Sequence, residues 1–377
     1  MSCDQSVVRT WPGTVRQQPR AVSADDETDH MSSDGVFRHP GTVGSATVEP
    51  MKQWDVIIAG AGPAGLSAAL ILGRACRSVL ICDRGTPRSW ASKRMYAYLS
   101  RDSIEPASFR RIGRRELARY PKVEMRDVEV TRARKRRRKF EITLASGARV
   151  ACRKLLIATG MMDILPAIPG FEQLFGRTVF QCPYCDGWEM RGKALAVYGR
   201  RRRGFELARA LTAWTDDIVL CTDGRSSLTN AERAQLARNH IRLVEKRIDA
   251  LEGTRGKLQH IRFRDGERLA RDGMFFNTPS RAQSNLAESL GCLFGRHGGV
   301  LCGQYEATSV PGVFVAGNII RDVQLSIVAA AEGARAAFGI NRALTREDFE
   351  QRATGRRRVE HPKMSGGARS KKIPARL

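Results

Sequence analysis

The sequence predicts an α/β protein with two doubly wound domains, in which helices cover both faces of mostly parallel sheets. Three observations predict this fold class. The 377 residues are too many for one average domain, since domains usually hold roughly 100 to 200 residues. Two separate segments, 54–83 and 194–221, each show a strand, helix and strand pattern. Further apolar runs at 154–159 and 313–316 are typical of buried parallel strands.

The first folded element is predicted after residue 50. Residues 1–50 are rich in Ser, Thr, Gly, Asp and Pro and lack periodic apolar positions, so we predict a disordered extension there. They also lack the apolar block of a secretory signal, and we therefore expect a cytoplasmic protein. A β-branched run at 54–59 predicts the first strand, and an alanine-rich helix at 66–73 and a strand at 78–82 complete a βαβ unit.

A small antiparallel region is predicted between the two βαβ units. Short strands are expected at 128–131, 140–144 and 149–152, followed by the buried strand at 154–159. A hairpin turn at Ser146 and Gly147 joins the second strand to the third. The basic run 134–139 is typical of a solvated hairpin tip.

The second βαβ unit is predicted from a strand at 194–198, a helix at 205–214 and a strand at 218–221. Near the end of the chain a strand at 313–316 and an alanine-rich helix at 327–340 follow. Beyond about Arg342 the apolar pattern fades, and we expect a solvated basic tail.

A glycine motif lies between the first predicted strand and helix. Gly60, Gly62 and Gly65 form G-x-G-x-x-G, in which the glycines permit a tight turn, close approach of a pyrophosphate, and close packing of helix on strand. Asp83 ends the second strand, 23 residues after Gly60, near the distance of roughly 20 expected for a ribose-binding carboxylate. Glycines that only form a turn would not explain this combination, which predicts a dinucleotide site in a Rossmann-like domain.

Cys182 and Cys185 form a C-x-x-C. Two cysteines at this spacing can close a small disulfide, and thiolates near a helix start are stabilised by backbone N–H groups. The alternatives are half of a zinc site or two inert thiols, but zinc would need two more ligands and the chain has no second C-x-x-C or close Cys/His pair. The spacing therefore predicts a redox pair and no metal site. The other seven cysteines are too dispersed to resemble a disulfide framework.

The strong positive charge raises nucleic acid as a possible partner. The formal net charge is +25 and the isoelectric point is near 10.5, yet the basic residues form separate clusters without zinc-finger spacing, an RNA-binding signature or interleaved aromatic residues. We therefore do not expect a nucleic-acid partner. No run of about 18 apolar residues could span a bilayer, so we expect no membrane partner either.

The order of the motifs resembles a known family. It runs GAGPAG at 60–65, KLLIATG at 154–160, CPYCDG at 182–187, a second nucleotide-domain strand, and TSVPGVFVAGN at 308–318. This order resembles the low-molecular-weight thioredoxin reductases, which are FAD-dependent pyridine nucleotide-disulfide oxidoreductases.

The resemblance covers roughly residues 52–342 and implies a domain organisation. An FAD-binding domain at 51–165 and 293–345 would be interrupted by an inserted NAD(P)-like domain at 166–292 that carries the cysteine pair. A basic tail at 346–377 would follow. The family also implies a homodimer.

The resemblance further implies roles for the residues of the C-x-x-C segment. Cys185 would lie against the flavin, and Cys182 would attack the external disulfide. Asp186 matches the acid that protonates the departing thiolate, a task suited to a partly desolvated carboxyl group.

The remaining matched positions would bind FAD. They are Gly60, Gly62, Pro63, Ala64, Gly65, Asp83, Thr159, Gly160, Gly317, Asn318 and Gln324. Gln324 matches a residue near the isoalloxazine ring. Asn318 stands where the family has Asp, and its amide can still form a hydrogen bond with a ribityl hydroxyl.

The second nucleotide fold departs from the family pattern. Arg201 replaces the middle glycine between Gly199 and Gly204, and a side chain there should block the approach of a pyrophosphate to the backbone. The arginine pair expected to bind the 2′-phosphate of NADPH is replaced by residues 222–224, which are Thr-Asp-Gly. Either the arginines of this loop bind phosphate through their side chains, with NADPH or NADH as the cofactor, or the domain has lost its nicotinamide site.

Three functions follow from these patterns. A reductase would pass electrons from FAD through the cysteine pair to a thioredoxin-like protein. A dithiol oxidase would oxidise a small-molecule dithiol and pass electrons to oxygen, and the relatives of this type share the Gly-Trp-Glu seen at 187–189. A flavoprotein that does not turn over would act as a redox sensor.

Overall fold

A computed structural model describes residues 51–355 of the chain. The extension predicted at 1–50 and the part of the basic tail after residue 355 lie outside the described residues. The helices are α1 (Pro63–Arg74), α2 (Pro106–Leu117), α3 (Phe171–Leu174), α4 (Pro183–Asp186), α5 (Arg201–Leu211), α6 (Asn230–Arg238), α7 (Leu286–Ser289) and α8 (Ser326–Ala353).

The strands fall into two groups along the chain. The first group is β1 (Gln53–Ala59), β2 (Val79–Cys82), β3 (Val123–Arg126), β4 (Val130–Arg136), β5 (Lys139–Leu144), β6 (Arg149–Ile157), β7 (Met161–Asp163) and β8 (Val179–Phe180). The second is β9 (Leu195–Tyr198), β10 (Ile218–Cys221), β11 (Arg242–Val244), β12 (Ile248–Thr254), β13 (Lys257–Phe263), β14 (Arg268–Ala270), β15 (Gly273–Phe276), β16 (Ser280–Ala282) and β17 (Val313–Val315).

The larger sheet is built around β1 and β6. Its strand order is β3-β2-β1-β6-β5-β4, and β17 also pairs with β6. Parallel pairs join β3 to β2, β2 to β1, β1 to β6 and β6 to β17. Antiparallel pairs join β6 to β5 and β5 to β4. The start of β6 pairs with β5 and its end pairs with β17. One strand therefore joins the early and late parts of the chain in a single sheet.

The second sheet is parallel throughout, with the order β11-β10-β9-β15-β8. A three-stranded antiparallel sheet, β12-β13-β14, accompanies it. A two-stranded ribbon, β7 with β16, is formed where the chain enters and leaves this region. The predicted α/β class with two doubly wound, Rossmann-like parts is confirmed.

The long helix α8 positions the glycine loop by packing closely on α1. A methyl group on Gly333 would lie 2.0 Å from the carbonyl oxygen of Ala64. The buried alanines Ala336 and Ala337 continue the same contact side. Small residues therefore let the two helix backbones approach each other directly beside residues 60–65.

The end of α8 differs from the sequence expectation. We expected the ordered pattern to fade near Arg342, but the helix continues to Ala353. Leu344 is fully buried, and Asp348 forms an ion pair with Arg77 at 2.5 Å. Periodicity missed these turns because one buried leucine and ion pairs of Glu347 and Asp348 with Arg77, Arg153 and Lys154 hold them, rather than a regular apolar stripe.

Other sequence predictions hold with shifted boundaries. The hairpin between β5 and β6 forms at Gly147, whose N–H donates to Leu144 at 2.9 Å. The strands predicted at 149–152 and 154–159 form the single strand β6, which is buried along most of its length. Helix α5 begins four residues earlier than predicted, since its first turn is arginine rather than apolar.

Candidate functional site

The first glycine loop connects β1 to α1 and is held by close backbone contacts. Gly60 has a φ of +105°, and its N–H donates to the carbonyl oxygen of Cys82 at 2.7 Å. A methyl group on Gly60 would lie 2.4 Å from the Ala158 oxygen, and one on Gly65 would lie 1.9 Å from the Gly60 oxygen. A side chain at Gly60 would push the loop away from the end of β6, and one at Gly65 would separate α1 from the end of β1.

Gly62 is in a different setting from its two neighbours. A methyl group on Gly62 would have no atom within 4 Å, so the space in front of its backbone is open. Gly62 is the N-cap residue of α1, Pro63 follows it, and the first turn holds no acidic residue. An open helix N-terminus of this kind favours an anion, and the loop therefore fits the pyrophosphate of FAD.

Asp83 lies at the end of β2 beside this loop. Its Oδ1 accepts a hydrogen bond from the Ala61 N–H at 3.1 Å, and its Oδ2 accepts one from Arg114 at 3.3 Å. A cleft adjoins Asp83 and continues past Gly60 and Thr159. The carboxylate is thus placed where a ribose hydroxyl of FAD could reach it.

Three residues of this cleft were missed by the sequence reasoning. Arg84 follows Asp83 and donates to Gln283 at 2.7 Å and to Glu129 at 3.2 Å, and all three line the cleft. Adjacency to Asp83 could have indicated Arg84. Gln283 is separated by 199 residues, and no sequence signal connects it to the cleft.

Thr159 and Gly160 follow β6 on the same edge of the sheet. The Thr159 hydroxyl lies 3.0 Å from that of Ser284. The carbonyl oxygen of Gly160, which has a φ of +70°, accepts a hydrogen bond from the Gln283 N–H at 3.2 Å. These contacts bring the end of β6 to the segment that follows β16.

Gly317 lies between β17 and the first turn of the segment leading to α8. A methyl group on Gly317 would lie 3.2 Å from Cβ of Ala64, so the late glycine reaches the first glycine loop. Its N–H donates to Glu332 at 2.7 Å. Burial raises the pKa of Glu332 to about 7. Asn318 is half-buried and begins a short 3-10 turn.

The structure closes Cys182 and Cys185 as a disulfide with a Cα–Cα distance of 5.2 Å. Cys182 is the N-cap of the single-turn helix α4, and its carbonyl oxygen accepts the N–H groups of Cys185 at 3.1 Å and Asp186 at 3.2 Å. A methyl group on Gly187 would lie 2.8 Å from the ring of Trp214. The six other cysteines within residues 51–355 are free thiols.

Asp186 lies in a setting that favours its neutral form. Burial, and then the charge of Glu189, raise the pKa of Asp186 to about 7. Burial also raises the pKa of the Tyr96 hydroxyl, and the charges of Glu189 and Asp186 raise it further. One carboxylate oxygen of Glu189 is buried without a hydrogen-bond partner. A carboxyl group that is partly protonated at neutral pH therefore follows directly after the disulfide.

Gln324, just before α8, is connected to the disulfide segment. Its side-chain oxygen accepts a hydrogen bond from Arg88, and the same guanidinium donates to Gln181, which precedes Cys182. The structure thus brings together the C-x-x-C segment and a residue that the sequence assigned to the flavin. It does so through Arg88, which the sequence did not identify.

The second glycine loop, at residues 199–204, differs from the first in the contacts made by the nearby acid, Asp223. Arg200 donates to the Thr222 carbonyl at 2.8 Å and contacts the Asp223 carboxylate at 3.1 Å. The other Asp223 oxygen accepts the Ile248 N–H at 2.9 Å. Arg201, at the middle-glycine position, is exposed with a φ of +54°. The loop lacks the open backbone cradle of Gly62, so a nicotinamide dinucleotide does not fit it in the same manner.

None of the helices within residues 51–355 is both long and apolar enough to cross a membrane.

Comparison with known proteins gives consistent matches. The family model described as pyridine nucleotide-disulphide oxidoreductase matches residues 54–333. The chain is 33% identical to thioredoxin reductase tcpT of Claviceps purpurea, over 70% of this chain and 86% of that protein. It is 29% identical to a protein of Arthroderma benhamiae named probable thioredoxin reductase, over 85% and 88% of the two chains. The solved structure of HlmI matches with a TM-score of 0.78 and 32% identity, covering 80% and 96%.

Proposed function

The chain belongs to the pyridine nucleotide-disulphide oxidoreductase family, as an FAD-dependent enzyme of the thioredoxin reductase type that acts on disulfides, and we propose that Cys182 and Cys185 exchange electrons between FAD and an external sulfur substrate. The observation that carries this proposal is the closed disulfide followed by the partly buried Asp186 carboxyl group, whose pKa is raised. A disulfide alone could be structural. A partly protonated acid beside it provides the proton that thiol–disulfide exchange requires.

The proposed exchange divides the work between the two cysteines. In the reductase direction the Cys182 thiolate attacks the external disulfide, and the substrate sulfur that leaves takes a proton from Asp186. Cys185 then attacks Cys182, which closes the Cys182–Cys185 disulfide and releases the second substrate sulfur as a thiol. The substrate gains two electrons from the cysteine pair and two protons, one from Asp186 and one from the Cys185 thiol. FAD, when bound, supplies the two-electron chemistry that reduces the cysteine pair again.

The proposed FAD site uses residues from both ends of the folded chain. Gly60, Gly62, Pro63, Ala64 and Gly65 would hold the pyrophosphate, and Asp83 the ribose. Thr159, Gly160, Gly317, Asn318 and Gln324 would surround the remainder. The corresponding domains are 51–165 with 293–345 for FAD, and 166–292 for the inserted part. The two separate sheets, one mixed and one parallel throughout, support this division.

The proposed partner of the reductase is a thioredoxin-like protein, supported by the names of the relatives. We also propose a homodimer, from the family resemblance, and a cytoplasmic location. The location is supported by the six free thiols in the described part of the chain, since secreted proteins tend to pair their cysteines.

A dithiol oxidase is the second candidate function, and one observation favours it. Arg200 donates hydrogen bonds to the Asp223 carboxylate and to the Thr222 carbonyl, which follows β10. A nicotinamide dinucleotide would otherwise be recognised at this position. In this direction a small dithiol would lose two electrons and two protons to the cysteine pair, and oxygen would be the final acceptor of the electrons.

An anaerobic titration of the purified yellow protein tests the proposal. NADPH, then NADH, then dithiothreitol is added while the flavin absorbance is followed. Rapid bleaching by a nicotinamide establishes the reductase, and bleaching by dithiothreitol alone, with recovery in air, supports the oxidase. A Cys182→Ser, Cys185→Ser variant with normal FAD content should not bleach with dithiothreitol. Equal bleaching in that variant would contradict the role of the cysteine pair.

A further inference from the structure

Arg88 is a half-buried arginine outside the predicted site, and its guanidinium contacts three separate segments. Nε and Nη2 donate to the two Asp163 carboxylate oxygens at 2.8 Å and 2.6 Å. Nη2 also donates to Gln181, and Nη1 donates to Gln324. The side chain of Arg88 is 18% exposed and that of Asp163 is 6% exposed. The arrangement is therefore a partly buried bidentate ion pair with two additional hydrogen bonds.

The three partners of Arg88 lie at points that matter for the proposed electron transfer. Asp163 is the last residue of β7 and pairs with Ser280 in the ribbon to β16. Gln181 directly precedes Cys182, and Gln324 lies two residues before α8. One side chain therefore connects the disulfide segment, the ribbon and the segment assigned to the flavin.

The chemistry of arginine explains why a single side chain can do this. The planar guanidinium carries five N–H donors in a fixed geometry. Here its donors point at four acceptor oxygens on three side chains. The bidentate ion pair fixes the plane of the guanidinium, and the plane fixes the directions in which Gln181 and Gln324 are held. A lysine could keep the ion pair but would not hold both glutamines in set directions.

We infer that Arg88 is a positioning residue that holds the Cys182–Cys185 segment and the Gln324 segment in one arrangement, so that the reduced cysteine pair can pass electrons to FAD. This inference rests on the proposed function. Transfer between two groups depends steeply on how they are oriented. Arg88 therefore controls the step between the cysteines and the flavin, and not the step between the external dithiol and the disulfide.

Two rates measured on the same holoenzyme separate these steps. Under anaerobic conditions with excess dithiothreitol, rapid alkylation and mass spectrometry measure the appearance of the Cys182 and Cys185 thiols. Stopped-flow absorbance measures flavin bleaching. The quantity of interest is the bleaching rate divided by the thiol appearance rate, because this ratio is insensitive to how readily the substrate reaches the disulfide.

We expect Arg88→Met to lower this ratio by about 10- to 100-fold, the size of effect expected from a small displacement of reacting groups. Arg88→Lys should lie between Arg88→Met and the wild type. Gln181→Ala removes only one of the hydrogen bonds and should lower the ratio less. It also serves as the test if Arg88→Met does not fold.

Arg77→Met is the matched control. Arg77 is also half-buried and contacts three side chains, Asn341 at 2.7 Å, Thr345 at 2.8 Å and Asp348 at 2.5 Å, but these lie on α8 away from the disulfide. Its substitution should reduce stability and leave the ratio unchanged. An equal fall of the ratio in Arg77→Met and Arg88→Met would show a merely structural effect and overturn the inference.

The remaining outcomes distinguish the inference from the function on which it rests. If the wild type bleaches and Arg88→Met, with normal FAD content, keeps the wild-type ratio, the inference is wrong and the proposed function stands. If the wild type forms thiols but its flavin does not bleach, the proposed function fails, and the inference fails with it.

Discussion

Two carboxyl groups of similar sequence context have different surroundings in the folded protein. Asp83 accepts hydrogen bonds from the Ala61 N–H and from the Arg114 guanidinium, at the edge of the cleft beside the first glycine loop. Asp186 is partly buried, and desolvation followed by the charge of Glu189 raises its pKa to about 7. The first is therefore suited to binding a hydroxyl and the second to donating a proton.

The raised pKa of Asp186 gives a prediction with a defined sign. A carboxyl group donates its proton only while protonated, so the contribution of Asp186 should be full below about pH 6 and should be lost as the pH rises through about 7. Asp186→Asn removes the donor and should slow attack of the reduced enzyme on a disulfide with a poor leaving group by about 10²-fold at low pH.

The measurement for Asp186 compares the two enzymes across pH, with 2-hydroxyethyl disulfide as the substrate. The ratio of wild-type to variant rates removes the common dependence on the attacking thiolate. This ratio should be constant below pH 6 and fall toward one above pH 8. A ratio that does not change with pH would show that Asp186 is not the proton donor.

At the scale of elements, the βα loop of residues 60–65 contains one glycine required for packing, Gly65, and one that is open to a ligand, Gly62. Gly65→Ala places a methyl group 1.9 Å from a backbone oxygen and should lower the free energy of unfolding by at least about 1 to 3 kcal/mol. Gly62→Ala places its methyl group in open space, at a φ of −73° that alanine accepts.

Gly62→Ala should therefore fold but retain less FAD, because the new methyl group lies where the pyrophosphate would approach. Circular dichroism and the ratio of flavin to protein absorbance measure these two properties separately. A Gly62→Ala protein with full FAD content would contradict the assignment of this loop to the pyrophosphate.

The last turns of α8 give a second prediction at the element scale. Leu344 is fully buried in the core between α1 and α8, and Leu344→Ala should cost about 2 to 5 kcal/mol of unfolding free energy. Arg346→Ala, at an exposed position two residues later, should change it by less than about 0.5 kcal/mol. Urea denaturation of both variants checks whether this part of the helix supports the fold, and equal midpoints would contradict it.

At the scale of the whole molecule, the formal net charge of +25 should influence which sulfur substrates arrive fastest. A strongly positive protein attracts anions over distances comparable to the Debye length, which is about 8 Å at physiological ionic strength. We expect kcat/KM for an anionic disulfide such as glutathione disulfide to fall several-fold between low and high salt. The value for the cationic disulfide cystamine should rise over the same range, and identical salt dependence for both would contradict electrostatic attraction.

The folded molecule also shows which elements can be predicted from local sequence patterns and which cannot. The first βαβ unit, the disulfide spacing and the second βαβ unit were predicted with shifts of a few residues, since each depends on neighbouring residues and a regular apolar period. Helix α2 and the sheet β12-β13-β14 were not predicted, because their apolar positions are few or interrupted by charge. Their structure depends on the surfaces they pack against.

The sequence by itself determined the fold class, the position of the open glycine loop and the two cysteines that form the disulfide, because these follow from backbone geometry and short spacings. Only the tertiary structure decided that Arg88 forms hydrogen bonds with both Gln181 and Gln324 and that Arg200 pairs with the Asp223 carboxylate. It also decided that desolvation and the charge of Glu189 raise the pKa of Asp186. Contacts such as those of Arg88 connect residues up to 236 positions apart. The physical reason is that hydrogen-bond direction and desolvation depend on all the atoms that surround a group, and these come together only when the chain folds.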